Sequence, residues 1–389
     1  MRNKLFLVFL IALLCVGISL FIKPQKDVSY LERAGLSGTS ELMGTSFIEG
    51  SFQETVEEIL IDQLYFKDNM IQLYYRLKIA ASSFFDQGYI KLAEDVIKID
   101  DFYIRNLVEE NEEDLITTAN RGYNIKLISE AYPDVSVYVY KPTRLEETNL
   151  LDSRWVYSQG YVYDYEFEGQ LGDNVTYRSL SIESVEQFDD YFYDTDIHWT
   201  PYGAYQGYTD IIMMLNETFD LGDAKSIESE VCYEERFYGS LANKIGQTTE
   251  AEAICDITLS GIGEYSYSEN GQDISIDAEK QGYILNDYDS LYSDYDNYFG
   301  DNPYERIFDF GENTGVNALF FVDSFINVNK VWLASHFDTT IMLDMRTVPD
   351  VDTFDLDDYM GTYEIDVIIV SMYYENLYVN GYNFIPLND

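Results

Sequence analysis

The residue types that catalyse acyl transfer occur at two distant places in this 389-residue chain. The chain has only two histidines, and one of them, His198, follows Asp196 by two positions. Far downstream, an apolar run ends at Asp323 and Ser324. A carboxylate, an imidazole and a hydroxyl are the parts of a serine-nucleophile site. Because histidine is the usual general base near neutral pH, the choice of base is narrow.

Local patterns around His198 predict how this part of the site is held. Two residues that are two positions apart face the same side of an extended segment, so the Asp196 carboxylate is expected to reach the imidazole. Thr200 is a good N-cap and Pro201 suits the first helical position, which predicts a helix from there to about Leu215. The histidine would then lie just before a helix N-terminus.

The surroundings of Ser324 predict a strand followed by a helix. The segment 318–322 is a strand candidate, and 325–337 is a helix candidate whose first N–H groups are expected to stabilise an oxyanion. Spacing alone leaves a second interpretation open, in which His198 is a surface residue and Ser324 only caps its helix. His336 is expected to lie at the end of that helix, where a cation is favourable.

The C-terminal third alternates between strand and helix patterns, which predicts an α/β fold with a parallel sheet and right-handed crossovers. Functional residues in such sheets lie at the carboxyl ends of strands, where Ser324, Asp344 and Arg346 are found. The expected strands are 135–140, 318–322, 339–345 and 365–370; the expected helices are 52–81, 112–132, 325–337 and 352–360; a hairpin is expected at 89–99 and irregular structure at 261–303.

The N-terminal residues have the pattern of a membrane anchor. Arg2 and Lys4 precede an apolar stretch, 5–22, that is close to the length needed to span a bilayer. No small-x-small cleavage site follows, so an uncleaved signal anchor over 1–26 is predicted. A flexible stalk is expected over 27–50, and one domain over 51–389 outside the cytoplasm.

Charge and cysteine content limit the partners. The net charge of −46 excludes nucleic acid as an expected partner, because phosphates would be repelled. Outside the cytoplasm, Cys232 and Cys255 can form a disulfide, although two separate buried thiols fit the sequence equally well. There is no CxxC or cysteine–histidine cluster, and the acidic stretch 286–302 lacks the EF-hand pattern. No metal or other cofactor is therefore expected.

An ordered series of motifs resembles the DHHW family. That family is similar to the SGNH hydrolase-like domains of alginate O-acetyltransferase enzymes. The resemblance covers most of the chain after the stalk. The motifs that carry it are Asp196–Thr200, Phe237–Ala242, Tyr295–Pro303, Asp323–Phe325, Leu333–Phe337 and Leu343–Arg346.

The resemblance implies an SGNH hydrolase-like three-layer α/β/α sandwich with a mostly parallel sheet. It also implies that Ser324 is the nucleophile, His198 the base and Asp196 the group that orients the base. Ile197 departs from the family, since it replaces the first histidine of the name motif. The second histidine, which the mechanism needs, is retained as His198.

A second departure concerns the oxyanion hole. Val322 occupies the place of the glycine in the Gly-Asp-Ser motif of SGNH enzymes, and Asn376 is a candidate substitute donor. Arg346 and Trp199 are candidate substrate contacts, although a structural ion pair between Asp344 and Arg346 is equally compatible with the sequence.

These patterns predict a membrane-anchored extracytoplasmic enzyme that moves an acyl group, expected to be acetyl, to or from a sugar hydroxyl of a surface polysaccharide. A transferase would need a multi-spanning partner to bring activated acyl groups across the membrane, whereas an esterase would not. The alternative is a non-catalytic glycan-binding or scaffolding protein on a degenerate hydrolase fold, which Val322 favours. Hydrogen-bond contact between His198 and Ser324 would distinguish the two.

Overall fold

The structure is a computed structural model, and most of the chain after the first 23 residues is described. The predicted membrane segment lies mostly outside the described residues. Among the helices that are described, none is long and apolar enough to cross a bilayer. The described residues are 6, 7, 11, 24–29, 31, 34–64, 66–82, 89–99, 102–105, 111–151, 160–233, 237–275, 295–351, 354–379 and 385.

An eight-stranded sheet forms the centre of the fold, with strand order β11-β10-β12-β14-β13-β15-β6-β7. Five neighbouring strands run parallel, from β14 to β7, and β10, β11 and β12 form an antiparallel extension. The fold is therefore α/β with a mostly parallel sheet, as predicted. The strands are β1 (Val28–Ser29), β2 (Ala34–Gly35), β3 (Tyr89–Lys91), β4 (Val96–Ile99), β5 (Phe102–Arg105), β6 (Ser136–Lys141), β7 (Val175–Ser179), β8 (Ile227–Cys232), β9 (Cys255–Leu259), β10 (Ser266–Glu269), β11 (Gln272–Asp273), β12 (Glu305–Asp309), β13 (Ala318–Val322), β14 (Thr339–Leu343) and β15 (Val367–Ser371).

The central strands are apolar because helices cover both faces of the sheet. Every residue of β13 and of β15 is buried, which is typical of strands inside a parallel sheet. The helices are α1 (Ser51–Asp62), α2 (Lys67–Ser82), α3 (Glu112–Ala131), α4 (Gly160–Gln170), α5 (Val185–Tyr191), α6 (Pro201–Leu215), α7 (Ser240–Lys244), α8 (Tyr295–Phe299), α9 (Lys330–Ala334) and α10 (Leu356–Tyr363).

Strand β6 shows how the layers are arranged. The Tyr140 hydroxyl donates to Asp210 of α6 at 2.9 Å, whereas Lys141, the next residue along the strand, forms an ion pair with Asp164 of α4 at 2.6 Å. Successive residues of a strand point to opposite faces. Helices α4 and α6 therefore cover different faces of the sheet, which gives three layers.

The segment predicted as a flexible stalk contacts α1 in the structure. Strands β1 and β2 pair with each other, and the buried Gln63 side chain donates to the carbonyls of Lys26 and Ser37 at 2.8 and 3.2 Å. Ser37 N–H also donates to Asp62 at 2.9 Å. The domain boundary at residue 51 remains a prediction.

Two predicted elements differ from the observed ones. The segment 261–303 was expected to be irregular, but it contains the antiparallel strands β10 and β11; residues 276–294 lie outside the described part. The helix expected over 325–337 is instead a 3-10 helix, Ser324–Asn327, followed by the short α9. Asn327, the last residue of the 3-10 helix, is buried, and its side chain donates to the Gly300 carbonyl at 3.0 Å.

Cysteines 232 and 255 form a disulfide. They are directly opposite each other where β8 pairs with β9. Of the two interpretations that the sequence left open, the structure therefore contains the bonded one. The disulfide closes a loop in the connection between α6 and β12.

Candidate active site

Three side chains from distant segments form a continuous hydrogen-bond chain at the carboxyl edge of the sheet. His198 Nδ1 is 2.5 Å from Asp196 Oδ1, and His198 Nε2 is 2.8 Å from Ser324 Oγ. Asp196 is 2% exposed and His198 8% exposed, whereas Ser324 is half-buried and reachable from solvent. The arrangement places an acid, a base and a hydroxyl in the order that serine activation requires.

The Asp196 carboxylate remains ionised at this buried position. Burial alone would raise its pKa, but the His198 charge and hydrogen bonds from His198 and from the Ser240 N–H hold the pKa well below its ordinary value. The two backbone N–H groups, of His198 and Ser240, lie 2.9 and 2.5 Å from the carboxylate oxygens. An ionised acceptor at Nδ1 leaves Nε2 without a proton and able to accept the serine proton.

A half-buried glutamate fixes the loop that carries Asp196. Glu252 accepts hydrogen bonds from the N–H groups of Asp194 and Thr195 at 2.9 and 2.8 Å, and from the Thr195 hydroxyl. The Thr195 carbonyl in turn accepts from Leu241 N–H at 3.0 Å, at the start of α7. Burial raises the pKa of the Glu252 carboxyl to about 7, against the opposing effect of these hydrogen bonds.

A buried arginine holds the other side of the same loop. Arg144 donates to the Ile197 carbonyl and forms a 2.7 Å ion pair with Glu146, and both charged residues are fully buried. Its guanidinium also lies over the rings of Phe188 and Phe192. Desolvation is therefore offset by an ion pair and by ring contacts, and the loop backbone is tied to the body of the domain.

The Ile197 side chain points away from the hydrogen-bond chain. It packs against a small apolar cluster that includes Leu92, Val96, Leu241 and Ile245. Replacing the first histidine of the name motif by isoleucine therefore changes this cluster and leaves the contact between Asp196 and His198 in place.

Ser324 is presented by the end of β13 and the turn that follows. Asp323 caps the 3-10 helix, because its Oδ1 accepts the Phe325 N–H at 3.0 Å. Its Oδ2 accepts from Tyr373 N–H at 2.7 Å and from the Asn376 amide at 2.8 Å. Asp323 thus ties the turn after β13 to the turn after β15.

The expected oxyanion donors are mostly occupied. The Asn376 amide, proposed from sequence as a substitute donor, donates to Asp323 Oδ2 at 2.8 Å, and its role as an oxyanion donor stays a prediction. The Phe325 N–H also donates to Asp323. Within the described part of the chain, the Ser324 N–H has no acceptor, which leaves it as the candidate oxyanion donor. Val322 is buried at the end of β13, opposite Ser371.

Trp199 is a structural residue and not a substrate contact. Its side chain is fully buried, and its indole Nε1 donates to the Phe325 carbonyl at 2.8 Å. Gly207 of α6 lies so close that a Cβ there would be 2.7 Å from the indole ring. The prediction that Trp199 contacts the substrate is therefore wrong. A large amphipathic ring next to the base can also join two segments of the core, and here it joins the segments of His198 and Ser324.

Arg346 forms the ion pair that the sequence allowed as an alternative. Its guanidinium is bidentate on Asp344, at 2.8 and 2.6 Å, and Asp344 is 1% exposed. The Arg346 side chain is 21% exposed. A substrate contact by Arg346 remains a prediction beside this structural role.

The second histidine is buried, contrary to the prediction that it decorates a helix end. His336 Nδ1 donates to the Leu221 carbonyl at 2.8 Å, and Nε2 accepts from the Tyr208 hydroxyl at 2.7 Å. Burial lowers the pKa of His336 to about 4, with a smaller effect of the Lys225 charge. The imidazole is therefore neutral near pH 7 and has a structural role in the core.

Several residues around the site could not be found from sequence. Ser240 and Tyr295 lie in motifs that carried the family resemblance, but nothing in the motifs indicated that one donates to Asp196 and the other stacks on His198. The sequence did not indicate the roles of Arg144 and Glu252. A charged residue that binds backbone groups inside the protein cannot be distinguished from a surface charge by sequence alone.

Comparisons with known proteins found one matching sequence profile and several similar folds. A sequence profile described as the SGNH hydrolase-like domain of acetyltransferase AlgX matches residues 176–259, which include Asp196 and His198 but not Ser324. No curated protein matches the chain. The structure of Bacillus cereus PatB1 is similar, with a TM-score of 0.60 and 19% identity over 73% of this chain and 97% of that one.

Two further solved structures are similar. PatB1 with a sulfonyl adduct has a TM-score of 0.59 at 19% identity, covering 73% of this chain and 98% of that one. A DHHW family protein from Eubacterium siraeum has a TM-score of 0.55 at 15% identity, covering 76% and 93%.

The fold is α/β with a mostly parallel sheet, and residues 176–259 match the profile of an SGNH hydrolase-like domain. The resemblance to the DHHW family and to AlgX-type domains, first seen in the motifs, is confirmed by these comparisons. At such low identities the likeness to solved structures concerns the fold alone.

Proposed function

We propose that this protein transfers or hydrolyses an acyl group, expected to be acetyl, through a Ser324–His198–Asp196 triad. One observation carries the proposal: the hydrogen-bond chain in which His198 lies 2.5 Å from Asp196 and 2.8 Å from Ser324. The match to an acetyltransferase domain supports the class of reaction. The non-catalytic alternative was expected to show a wide separation of these side chains, which the structure does not have.

The proposed reaction has two halves. Ser324 Oγ attacks the acyl carbonyl while His198 Nε2 takes the hydroxyl proton, and the resulting oxyanion faces the Ser324 N–H. The donor oxygen then leaves with the proton from His198, which gives an acyl-serine. In the second half, a sugar hydroxyl or water loses its proton to His198 and attacks the acyl-serine. His198 then returns this proton to the Ser324 oxygen as the acyl group leaves it. Asp196 stays ionised throughout and stabilises the imidazolium.

The substrate and the cellular setting are further parts of the proposal. We infer a surface polysaccharide as acceptor or substrate, because the acetyltransferase match and the acidic surface favour an uncharged glycan hydroxyl over an anionic partner. The apolar stretch 5–22 is proposed to anchor the chain in the membrane, with the domain outside the cytoplasm. A disulfide fits such an oxidising location. A transferase would depend on a multi-spanning acyl-supplying partner.

The first test is turnover of a chromogenic acetyl ester by the full chain. Ser324→Ala is expected to lower kcat by about a thousand-fold or more, because the attacking oxygen is lost while the fold is kept. The matched control is Ser226→Ala, which removes an exposed hydroxyl that is hydrogen-bonded to Ser260 and should keep wild-type turnover. Equal turnover by wild type and Ser324→Ala would reject the nucleophile.

A covalent probe gives an independent readout. A sulfonyl fluoride should add one sulfonyl group to Ser324, seen by peptide mass spectrometry in wild type and in Ser226→Ala but not in Ser324→Ala. Adding a neutral glycan acceptor then separates the two directions of chemistry: a transferase forms acetylated glycan, whereas an esterase forms only acetate.

A further inference from the structure

The imidazole of His198 lies flat against the ring of Tyr295. The two ring centroids are 3.8 Å apart and the ring planes differ by 7°. The Phe325 ring is farther from the imidazole and tilted, with centroids 4.9 Å apart and planes at 44°. Both aromatic residues are almost fully buried. One face of the base is therefore covered by a parallel, tightly packed ring.

This contact restricts the motion that would disable the base. The hydrogen bonds to Asp196 and Ser324 lie in the plane of the imidazole, so rotation about the Cβ–Cγ bond breaks both of them. A parallel ring at van der Waals distance opposes that rotation, because any large turn drives the edge of the imidazole into Tyr295. The electron-rich face of a phenol also attracts the imidazolium that forms during the reaction.

Tyr295 is held by the segment that carries the nucleophile. Lys330 Nζ donates to the carbonyl of Phe299, the last residue of α8, at 2.9 Å. Asn327 donates to the carbonyl of Gly300 at 3.0 Å. Both donors are buried and follow Ser324 closely in the chain. The stacking ring and the serine are thus fixed to one another.

A third side chain completes this anchor. Arg306 of β12, which is 2% exposed, donates to the Asp301 carbonyl and to Asn327 Oδ1, the latter at 2.8 Å. Three buried donors thus bind three consecutive carbonyls, from Phe299 to Asp301. Such a network fixes the backbone after α8 more firmly than apolar packing alone would.

We propose that Tyr295 is a positioning residue, which holds the plane of the His198 ring in line with both Asp196 and Ser324. The inference rests on the proposed function, and it adds a residue that acts through the base without touching the reacting atoms. This positioning role requires the aromatic ring of Tyr295 and does not require its hydroxyl.

The test compares Tyr295→Phe with Tyr295→Leu in the full chain, with kcat and KM for a chromogenic acetyl ester measured separately. Tyr295→Phe keeps the ring and should stay within about 3-fold of wild type. Tyr295→Leu should lower kcat by about 10- to 100-fold, the usual effect of a small misplacement of a catalytic group, with KM changed less than about 3-fold. Unchanged kcat in Tyr295→Leu, or an equal loss in Tyr295→Phe, would overturn the inference.

Tyr298→Leu is the matched control. Tyr298 lies on the same short helix, but its ring pairs with Tyr233, 6.0 Å between centroids, and not with His198. Wild-type kcat is expected. A loss in Tyr298→Leu as large as that in Tyr295→Leu would show that general damage to α8, and not the stacked ring, explains the effect.

A spectroscopic readout separates failure of this inference from failure of the proposed function. Because the chain has only two histidines, the imidazole resonances can be assigned with a His336→Gln variant. In Tyr295→Leu, the ring-current shift of the His198 ring protons should vanish and the Nδ1–H signal at Asp196 should broaden. If these spectral changes occur in a protein that neither turns over esters nor reacts with the sulfonyl fluoride, they would support the positioning role of Tyr295 and reject the proposed function. If the wild type is active and the His198 signals are the same in Tyr295→Leu, the proposed function would stand and the positioning role would be rejected.

Discussion

The acid at this site is held almost entirely by backbone donors and by the base itself. Asp196 receives the N–H groups of His198 and Ser240 as well as His198 Nδ1. Among side chains, its charge therefore depends on His198, and its other donors belong to the backbone. The role of such a carboxylate is to fix the imidazole tautomer and to stabilise the imidazolium.

Asp196→Asn tests that role directly. The amide keeps the shape of the side chain but cannot accept from all three donors, so His198 is expected to favour the wrong tautomer and kcat to fall about 10³- to 10⁴-fold. Asp189→Asn makes the same charge change at an exposed position of α5 and should leave kcat unchanged. Steady-state kinetics on the acetyl ester would measure both, and near-normal activity of Asp196→Asn would contradict the assignment of the orienting acid.

At the residue scale, the sequence predicted the contacts of the three central side chains but not of their neighbours. An Asp-x-His spacing limits the distance between two groups, and the structure brings them together, although through a bend and not an extended strand. Trp199 was misassigned, since its indole donates inward to the Phe325 carbonyl. The role of Asn376 beside its bond to Asp323 stays a prediction. Whether the three residues are catalytic stays a prediction.

At the element scale, the loop of Asp196 and the start of α7 are packed at backbone distance. Gly239 makes this possible: a Cβ at this position would lie 2.3 Å from the Asp196 Cβ and 2.3 Å from the Thr195 carbonyl oxygen. The φ angle of Gly239 is −69°, so the requirement for glycine is steric and not conformational.

Gly239→Ala should therefore displace Asp196 and lower kcat about 10-fold or more, with a loss of about 1–3 kcal/mol in the free energy of unfolding from overpacking. Gly361→Ala is the control, because Gly361 of α10 has no atom within 4 Å of the added methyl group. That control should keep full activity and gain up to about 1 kcal/mol from better helix propensity. Kinetics and denaturant unfolding measure the two effects, and equal behaviour of both variants would refute the steric argument.

Helices and strands with strong local sequence signals were predicted correctly, whereas those without such signals were missed or given wrong bounds. The helix capped by Thr200 and started by Pro201 was found because both residues act locally, and Thr200 does accept the Gly203 N–H. The strands β10 and β11 were missed because they are short and consist of Ser, Tyr, Glu, Gln and Asp, with no run of β-branched or apolar residues. The helix after Ser324 was overestimated, because nothing local shows that Asn327 turns its side chain towards α8.

At the scale of the whole molecule, His336 links stability to pH. The unfolded chain binds a proton at this residue below about pH 6.5, whereas the folded protein does not until about pH 4. Because the unfolded state binds more protons in this interval, the contribution of His336 to stability is complete above pH 6.5 and is lost as the pH falls towards 4.

The expected loss is about 3 kcal/mol between pH 7 and pH 4, at 1.36 kcal/mol per pKa unit. Urea unfolding of wild type and His336→Gln at both pH values would measure it, since the carboxylates that titrate in this range are common to the two proteins. The variant should show a shallower fall in stability. Identical pH dependence would mean that His336 is protonated in the folded protein near its ordinary pKa.

The overall architecture was predictable because apolar strands alternate with amphipathic segments over the last third of the chain, and the parallel order of β13, β14 and β15 follows. The antiparallel edge and the pairing of β6 with β15 depend on contacts between residues that are far apart in sequence. The membrane anchor, the extracytoplasmic location and the domain boundary remain predictions.

The supply of Asp196's partners by the main chain has an evolutionary consequence. No side-chain substitution can delete an amide N–H, proline excepted, so mutation at Ser240 can change the hydroxyl without removing the donor to Asp196. The stabilisation of the Asp196 charge by backbone N–H groups is therefore retained as long as the backbone keeps its path. A lineage could thus replace most of the residues around such a carboxylate while the ionised acid stays where the fold put it.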